Sequence, residues 1–338
     1  MSRNIILKMS TICTILLLTA FLFMMTSTAV KVEAPLQPAT GPGGANYTHT
    51  QVKTTVFGEG EHQYWIFEPA SPKPASAPII VFNHGWLATT PTFYQAWINH
   101  LVRQGYIVIY PRYQVDFSTP SNNFTPNAIN ASHEALNVLQ TGDHVQPQLD
   151  KFALVGHSVG GLISVNMASL SAVSGLPEPK AVFAVQPGKS RSSEDKVGPL
   201  LADLNKIPST TLLLTLAGDE DTWVGDADAQ RIIRETPQIP PPNKDYILMV
   251  SDHHGNPELV ADHFAPLGAE FSTLNKTIYL LVDARDFYGT WKLFDGLLNA
   301  AFNGTNREYA LGNTTPQRFM GIWSDGTPVK ELIVTDNP

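Results

Sequence analysis

Six consecutive residues, Gly156-His157-Ser158-Val159-Gly160-Gly161, carry the strongest chemical signal in the chain. A short apolar run, Phe152 to Val155, leads into them and a helix-like pattern follows, so Ser158 falls on a sharp strand-to-helix turn. Such a turn leaves no room for a Cβ on either side of the serine, which calls for glycine at 156 and 160, and its strain exposes the hydroxyl. The helix that begins there points its free N–H groups and the positive end of its dipole at developing negative charge. This is the arrangement for nucleophilic attack by Ser158 on an acyl carbon.

A serine hydroxyl needs a base, and the base needs an acid to fix its tautomer and stabilise the imidazolium. Behind an elbow of this kind the chain order is serine, acid, histidine. The run Thr211 to Leu216 ends in Ala217-Gly218-Asp219-Glu220-Asp221, three carboxylates at a strand's end. Asp221 is the expected acid, with Asp219 as the alternative. The next run, Tyr246 to Val250, ends in Ser251-Asp252-His253-His254-Gly255. His254, before the glycine, is the expected base; His253 comes second and His263 third. A histidine base requires kcat/KM to fall as the pH drops through ~6.5. The group Asp252, His253, His254, Asp262 and His263 also has the residue types of a metal site, but the elbow already explains histidine there, so neither metal nor cofactor is expected. Asn83-His84-Gly85-Trp86 closes an earlier buried run, and that loop supplies the other half of an oxyanion hole. The expected donors are the backbone N–H groups of Trp86 and Val159, with His84 as a structural side chain bonded to nearby backbone.

These loops need a sheet to hold them. Strand-like runs at Gln51 to Phe57 and Gln63 to Phe67 form a hairpin, and the apolar run Ile79 to Phe82 reads as a strand buried on both faces. Helix-like and strand-like patterns then alternate: a helix from Pro91 to Gln104, a strand from Tyr106 to Tyr110, a helix from Ala128 to Leu139 and the strand Phe152 to Val155. Further strands are expected at Ala181 to Val185, Thr211 to Leu216 and Tyr246 to Val250, with helices near Gly160 to Leu170 and Asp226 to Arg234. Alternation of this kind predicts an α/β fold, a mostly parallel central sheet with helices on both faces. A helix around Trp291, Phe294, Leu298 and Phe302 and a hairpin about Ser324-Asp325-Gly326 complete one domain, residues 47–338, with an extension at 275–338. A Pro/Gly/Ala-rich lead-in, residues 30–46, reads as flexible.

The N-terminus reads as an export signal, residues 1–29: Arg3 and Lys8, an apolar stretch from Ile12 to Met25, then Ser27, Thr28 and Ala29. The stretch is shorter than the ~20 residues that span a bilayer, so a secreted body with no stable membrane insertion is expected. Cys13 is the only cysteine. Its loss with the signal excludes a cysteine nucleophile, a zinc–thiolate site and any disulfide. Removing Arg3 and Lys8 takes the formal charge from −8 to −10, and the absence of a basic run argues against nucleic acid as a partner. Six Asn-x-Ser/Thr sequons occur, at Asn46, Asn123, Asn130, Asn275, Asn303 and Asn313.

Phe82-Asn83-His84-Gly85-Trp86, the Gly-His-Ser-Val-Gly-Gly elbow, the Gly218-x-x-Asp221-x-x-Val224 loop and the late His254-Gly255 together resemble the α/β hydrolases of the chlorophyllase, dienelactone hydrolase and cutinase group. The resemblance covers Val56 to about Leu267. It implies a serine acyl-enzyme mechanism without a cofactor and a small-molecule or lipid-like ester as substrate. Ser158 would attack, His254 move the proton, Asp221 orient it, and Trp86 and Val159 hold the oxyanion. The chain departs from that group in its long tail, Asn275 to Pro338, and in lacking a disulfide. A peptidase, thioesterase or acyltransferase would use the same triad, and a non-catalytic binding module the same scaffold. Two segments stand as candidates to border the substrate: the aromatic-rich Asp286 to Phe294, which also reads as a core-facing amphipathic helix, and the polar loop Gln114 to Asn127.

Overall fold

The structure, a computed structural model, describes residues 31–192, 195–269 and 281–338. The expected signal segment lies outside the described residues. Residues 33–338 pack as one compact unit. Among the described residues no helix is long and apolar enough to cross a membrane.

A nine-stranded sheet organises the chain. Its strands are β1 (Gln51–Phe57), β2 (Tyr64–Ser71), β3 (Ser76–Asn83), β4 (Ile107–Pro111), β5 (Gln146–His157), β6 (Pro179–Val185), β9 (Leu212–Gly218), β10 (Lys244–Met249) and β11 (Ile333–Thr335). They lie in the order β1-β2-β4-β3-β5-β6-β9-β10-β11, and a separate two-stranded ribbon joins β7 (Ser190–Ser192) to β8 (Asp195–Val197). From β4 to β10 every pairing is parallel, while β1 and β2 at one edge and β11 at the other run antiparallel. This is an α/β-hydrolase fold. The apolar runs explain the arrangement: Ile79 to Phe82, Phe152 to Val155 and Ala181 to Val185 are fully buried, as strands covered on both faces must be.

The covering helices are α1 (Gln95–Gln104), α2 (Phe124–Leu139), α3 (Val159–Ser174), α4 (Ala227–Arg234), α5 (Trp291–Asn303) and the short α6 (Thr315–Arg318). Helix α3 is buried along nearly its whole length, because it follows the central strand and is enclosed on all sides. Helix α5 turns Phe294 into the core, where its ring lies 6.1 Å from Trp97 and 5.9 Å from Phe183. Aromatic side chains of segment 286–294 therefore serve packing, and none of them lines the cavity beside Ser158.

One expectation is corrected. The lead-in is tied down: Gly43 N–H donates to Asp295 Oδ2 at 2.8 Å, Gln37 Nε2 donates to the Gly43 carbonyl at 3.0 Å, and Pro42, Gly43 and Gly44 are buried. A proline- and glycine-rich stretch without regular structure can still be ordered when a buried carboxylate takes its N–H group. The expected hairpin about Ser324–Gly326 is present in short form: Ile322 and Pro328 bridge antiparallel, the Trp323 N–H donates to the Thr327 carbonyl at 2.8 Å and the Val329 N–H to the Gly321 carbonyl at 3.0 Å. Trp323 turns inward and is 1% exposed, and the chain then runs on to pair β11 with Tyr246–Leu248 of β10.

Candidate active site

Four loops at the C-terminal ends of parallel strands meet at one apolar cavity of about 330 Å3, the position that open α/β sheets use for ligands. Ser158 follows β5. It adopts φ 58° and ψ −125°, a left-handed conformation that costs a non-glycine residue on the order of 1–3 kcal/mol. The two glycines make this possible. A Cβ on Gly156 would overlap the Gly160 carbonyl, and one on Gly160 would overlap the Asn83 carbonyl.

Asp221 and His263 complete the constellation. His263 Nε2 lies 2.9 Å from Ser158 Oγ, and its Nδ1 lies 2.8 Å from Asp221 Oδ2. A carboxylate only accepts, so Nδ1 carries the proton and Nε2 presents a lone pair to the serine hydroxyl. All three side chains are buried. Asp221 Oδ1 also accepts the N–H groups of Trp223 at 2.9 Å and Val224 at 3.1 Å. Burial works against its charge, but the hydrogen bond and charge of His263 and these two N–H groups outweigh burial and hold the carboxyl below the usual range. The Trp223 ring lies parallel to that of His263, at 5.9 Å and 2°.

The expected oxyanion donors sit on two loops. Val159 begins α3, and Trp86 lines the cavity beside Ser158. Among the described residues neither backbone N–H has an acceptor. The Gly85 carbonyl accepts the Ala88 N–H at 3.0 Å and faces His84 Nδ1 at 2.6 Å. In a trans peptide this turns the Trp86 N–H the opposite way. His84 is buried with Nε2 2.9 Å from the Arg112 carbonyl, stacked on Tyr113 at 4.0 Å. Burial lowers its pKa to about 4, against the pull of the two carbonyls, to only one of which a neutral ring can donate; the ring braces the loop between them. The polar loop after β4 borders this site. Gln114 Oε1 accepts the Leu87 N–H at 2.9 Å, and the Phe117 ring meets Trp86 edge-on at 5.4 Å.

His254, the histidine expected as base, is elsewhere. Its Nε2 pairs with Asp325 Oδ2 at 2.7 Å, with the side chain 38% exposed. The glycine behind it has a packing reason: a Cβ on Gly255 would overlap the Trp323 indole. Asp252 Oδ2 accepts Trp323 Nε1 at 3.1 Å and the Lys330 N–H at 2.9 Å. The Ser251–Gly255 loop thus docks the C-terminal extension. His253 is exposed between Glu258 at 2.6 Å and Glu220 at 2.9 Å. Asp219 holds the Ser251 N–H and hydroxyl, at 2.9 and 2.6 Å. The chain then folds back through the Asp252–Leu259 bridge, and Ala261 accepts the Glu220 N–H at 3.3 Å. That return delivers His263 to Asp221. The one local signal for it is position, since His263 is the last histidine of the chain. Among the described residues no group of three or more His, Cys, Asp or Glu side chains is placed to hold a metal ion.

A comparison with curated proteins gives no match. The family model of the chlorophyllases matches residues 43–209, a stretch that includes Trp86, Ser158 and Val159 and ends before Asp221 and His263. The chain is an α/β hydrolase that resembles the chlorophyllases, a family of ester-hydrolysing enzymes.

Proposed function

We propose that the protein is a secreted serine esterase that cleaves carboxylic esters through an acyl-enzyme, with Ser158 as nucleophile, His263 as general base and acid, and Asp221 as the group that orients it. The observation that carries this reading is the unbroken chain from Ser158 Oγ through His263 to Asp221, at 2.9 and 2.8 Å. Export is read from the N-terminal pattern of Arg3, Lys8 and the apolar stretch that follows. Ester as the substrate class is drawn from the resemblance to the chlorophyllases.

In the first half-reaction, Ser158 Oγ attacks the ester carbonyl while His263 Nε2 takes the hydroxyl proton. The imidazolium that forms is stabilised by the Asp221 carboxylate. The N–H groups of Trp86 and Val159 meet the oxyanion, each such donor contributing about 3 kcal/mol to the barrier lowering. His263 returns the proton to the leaving alkoxide, and the alcohol departs. Water then repeats the sequence on the acyl-enzyme, releasing the acid and restoring Ser158. A cavity of about 330 Å3 sits at the small end of the ~300–1,000 Å3 usual for ligand sites, which favours short acyl chains.

Hydrolysis of p-nitrophenyl esters from acetate to palmitate by the purified protein tests the reading. Turnover that is greatest for short chains and absent in Ser158→Ala supports it. A folded wild type that turns over none of the series contradicts it.

A further inference from the structure

Beyond the triad, one buried tyrosine sits where the oxyanion loop and the nucleophile turn converge. Tyr94 is 1% exposed and His157 3% exposed. The Gly85 N–H donates to Tyr94 Oη at 3.0 Å. Tyr94 Oη also lies 2.8 Å from His157 Nδ1. Whichever of the two carries the shared proton, this bond joins the oxyanion loop to the nucleophile turn. Burial keeps His157 neutral, with its pKa lowered to about 3.

The other side of His157 faces the base. Its ring packs against that of His263, centroid to centroid at 4.7 Å, while its Nε2 is buried without a hydrogen-bond partner among the described residues. Gln186 Nε2 donates to the Asp262 carbonyl at 2.6 Å. There is no spare room in the junction: a Cβ on Gly85 would lie 3.0 Å from Tyr94 Oη, 3.3 Å from His157 Nδ1 and 3.5 Å from Ser158 Cβ. A phenylalanine would fill the volume of Tyr94, so packing alone does not call for the hydroxyl, whose burial is costly unless both its hydrogen bonds are made.

We infer that Tyr94 and His157 are positioning residues that tie the oxyanion loop at Gly85 to the segment bearing His263, so that donor and base keep one registry about Ser158. This rests on the triad reading for its catalytic consequence, but not for the tether itself. The tether sets alignment rather than binding, so its loss acts on kcat. Misplacement of a reacting group by 1 Å costs about 100-fold, and a tilted loop less.

The test combines kinetics with nitrogen-15 NMR of the histidines. Tyr94→Phe and His157→Leu are each expected to lose about tenfold in kcat with KM within about twofold, and the double variant no more than the worse single, as linked groups behave. Unchanged kcat, or losses that multiply in the double variant, overturn the inference. In the wild type, the nitrogen-15 shift of His157 Nδ1 is expected to report a hydrogen bond to Tyr94, and the shift of a free ring nitrogen overturns the tether even if a variant fails to fold. A wild type with no ester turnover but with His157 Nδ1 hydrogen-bonded keeps the tether and removes the hydrolase reading.

Discussion

His254 and His263 each hold a carboxylate at almost the same distance, 2.7 Å to Asp325 and 2.8 Å to Asp221. Each also lies beside a tryptophan, Trp323 at 5.8 Å and Trp223 at 5.9 Å. What separates them is burial and the third partner. The His254 side chain is 38% exposed and its Nε2 is consumed by the carboxylate, whereas His263 is 5% exposed, spends Nδ1 on Asp221 and leaves Nε2 facing Ser158. An exposed pair of this kind contributes about 0–1 kcal/mol because water screens it. A buried pair keeps its field and can stabilise an imidazolium as it forms. A histidine–carboxylate contact is therefore not a catalytic signature by itself; the ring nitrogen left over decides.

The largest effect that would sharpen this contrast is on kcat. His263→Ala is expected to cost on the order of 10^6-fold, as loss of a triad histidine does. His254→Ala should leave kcat within about twofold, since an exposed pair contributes little. Steady-state kinetics on one p-nitrophenyl ester reads both, and equal losses would break the distinction. Asp221→Asn should cost about 10^4-fold by leaving His263 in the wrong tautomer. Asp219→Asn leaves the triad intact but weakens the grip on the Ser251 N–H and hydroxyl. Its loss should appear as about 1–3 kcal/mol in denaturant unfolding, with kcat retained.

Smaller effects test the tail-docking role of the His254 loop and the neutral histidines of the site. Gly255→Ala forces the Trp323 ring aside and should destabilise by about 1–3 kcal/mol without changing kcat. His84 and His157 have folded pKa values lowered to about 4 and about 3, below the ~6.5 of an unfolded chain. The unfolded state therefore binds more protons than the folded state below that value, and the stability present above pH ~6.5 is lost as the pH falls toward about 4. The slope should be about 1.4 kcal/mol per pH unit for each histidine. Unfolding free energies measured from pH 7 to 4.5 should show it, and His84→Asn should flatten it by about one proton. An unchanged slope in that variant would mean His84 is already charged in the folded protein.

The legible parts of the molecule were those whose chemistry is local. Glycine at 156 and 160 is forced by carbonyls within the turn and from Asn83, so the elbow could be read from six residues. The parallel sheet was legible because its strands are buried on both faces and so appear as unbroken apolar runs. The role of His263 was not legible in this way. Its place is set by a return of the chain through the Asp252–Leu259 bridge and by contact with Ser158, 105 residues away. The Gly255 that drew attention to His254 answers to Trp323, 68 positions further on. Order in the lead-in has the same origin, because the Asp295 carboxylate that holds Gly43 comes from α5.

The most direct test of the triad is covalent labelling. Wild type, Ser158→Ala, His263→Ala and His254→Ala would be treated with a fluorophosphonate and the modified peptide identified by mass spectrometry. The account predicts rapid labelling on Ser158 in the wild type and in His254→Ala, and none in Ser158→Ala or His263→Ala on the same timescale. Labelling that survives in His263→Ala but is lost in His254→Ala, or that lands on another residue, would contradict it.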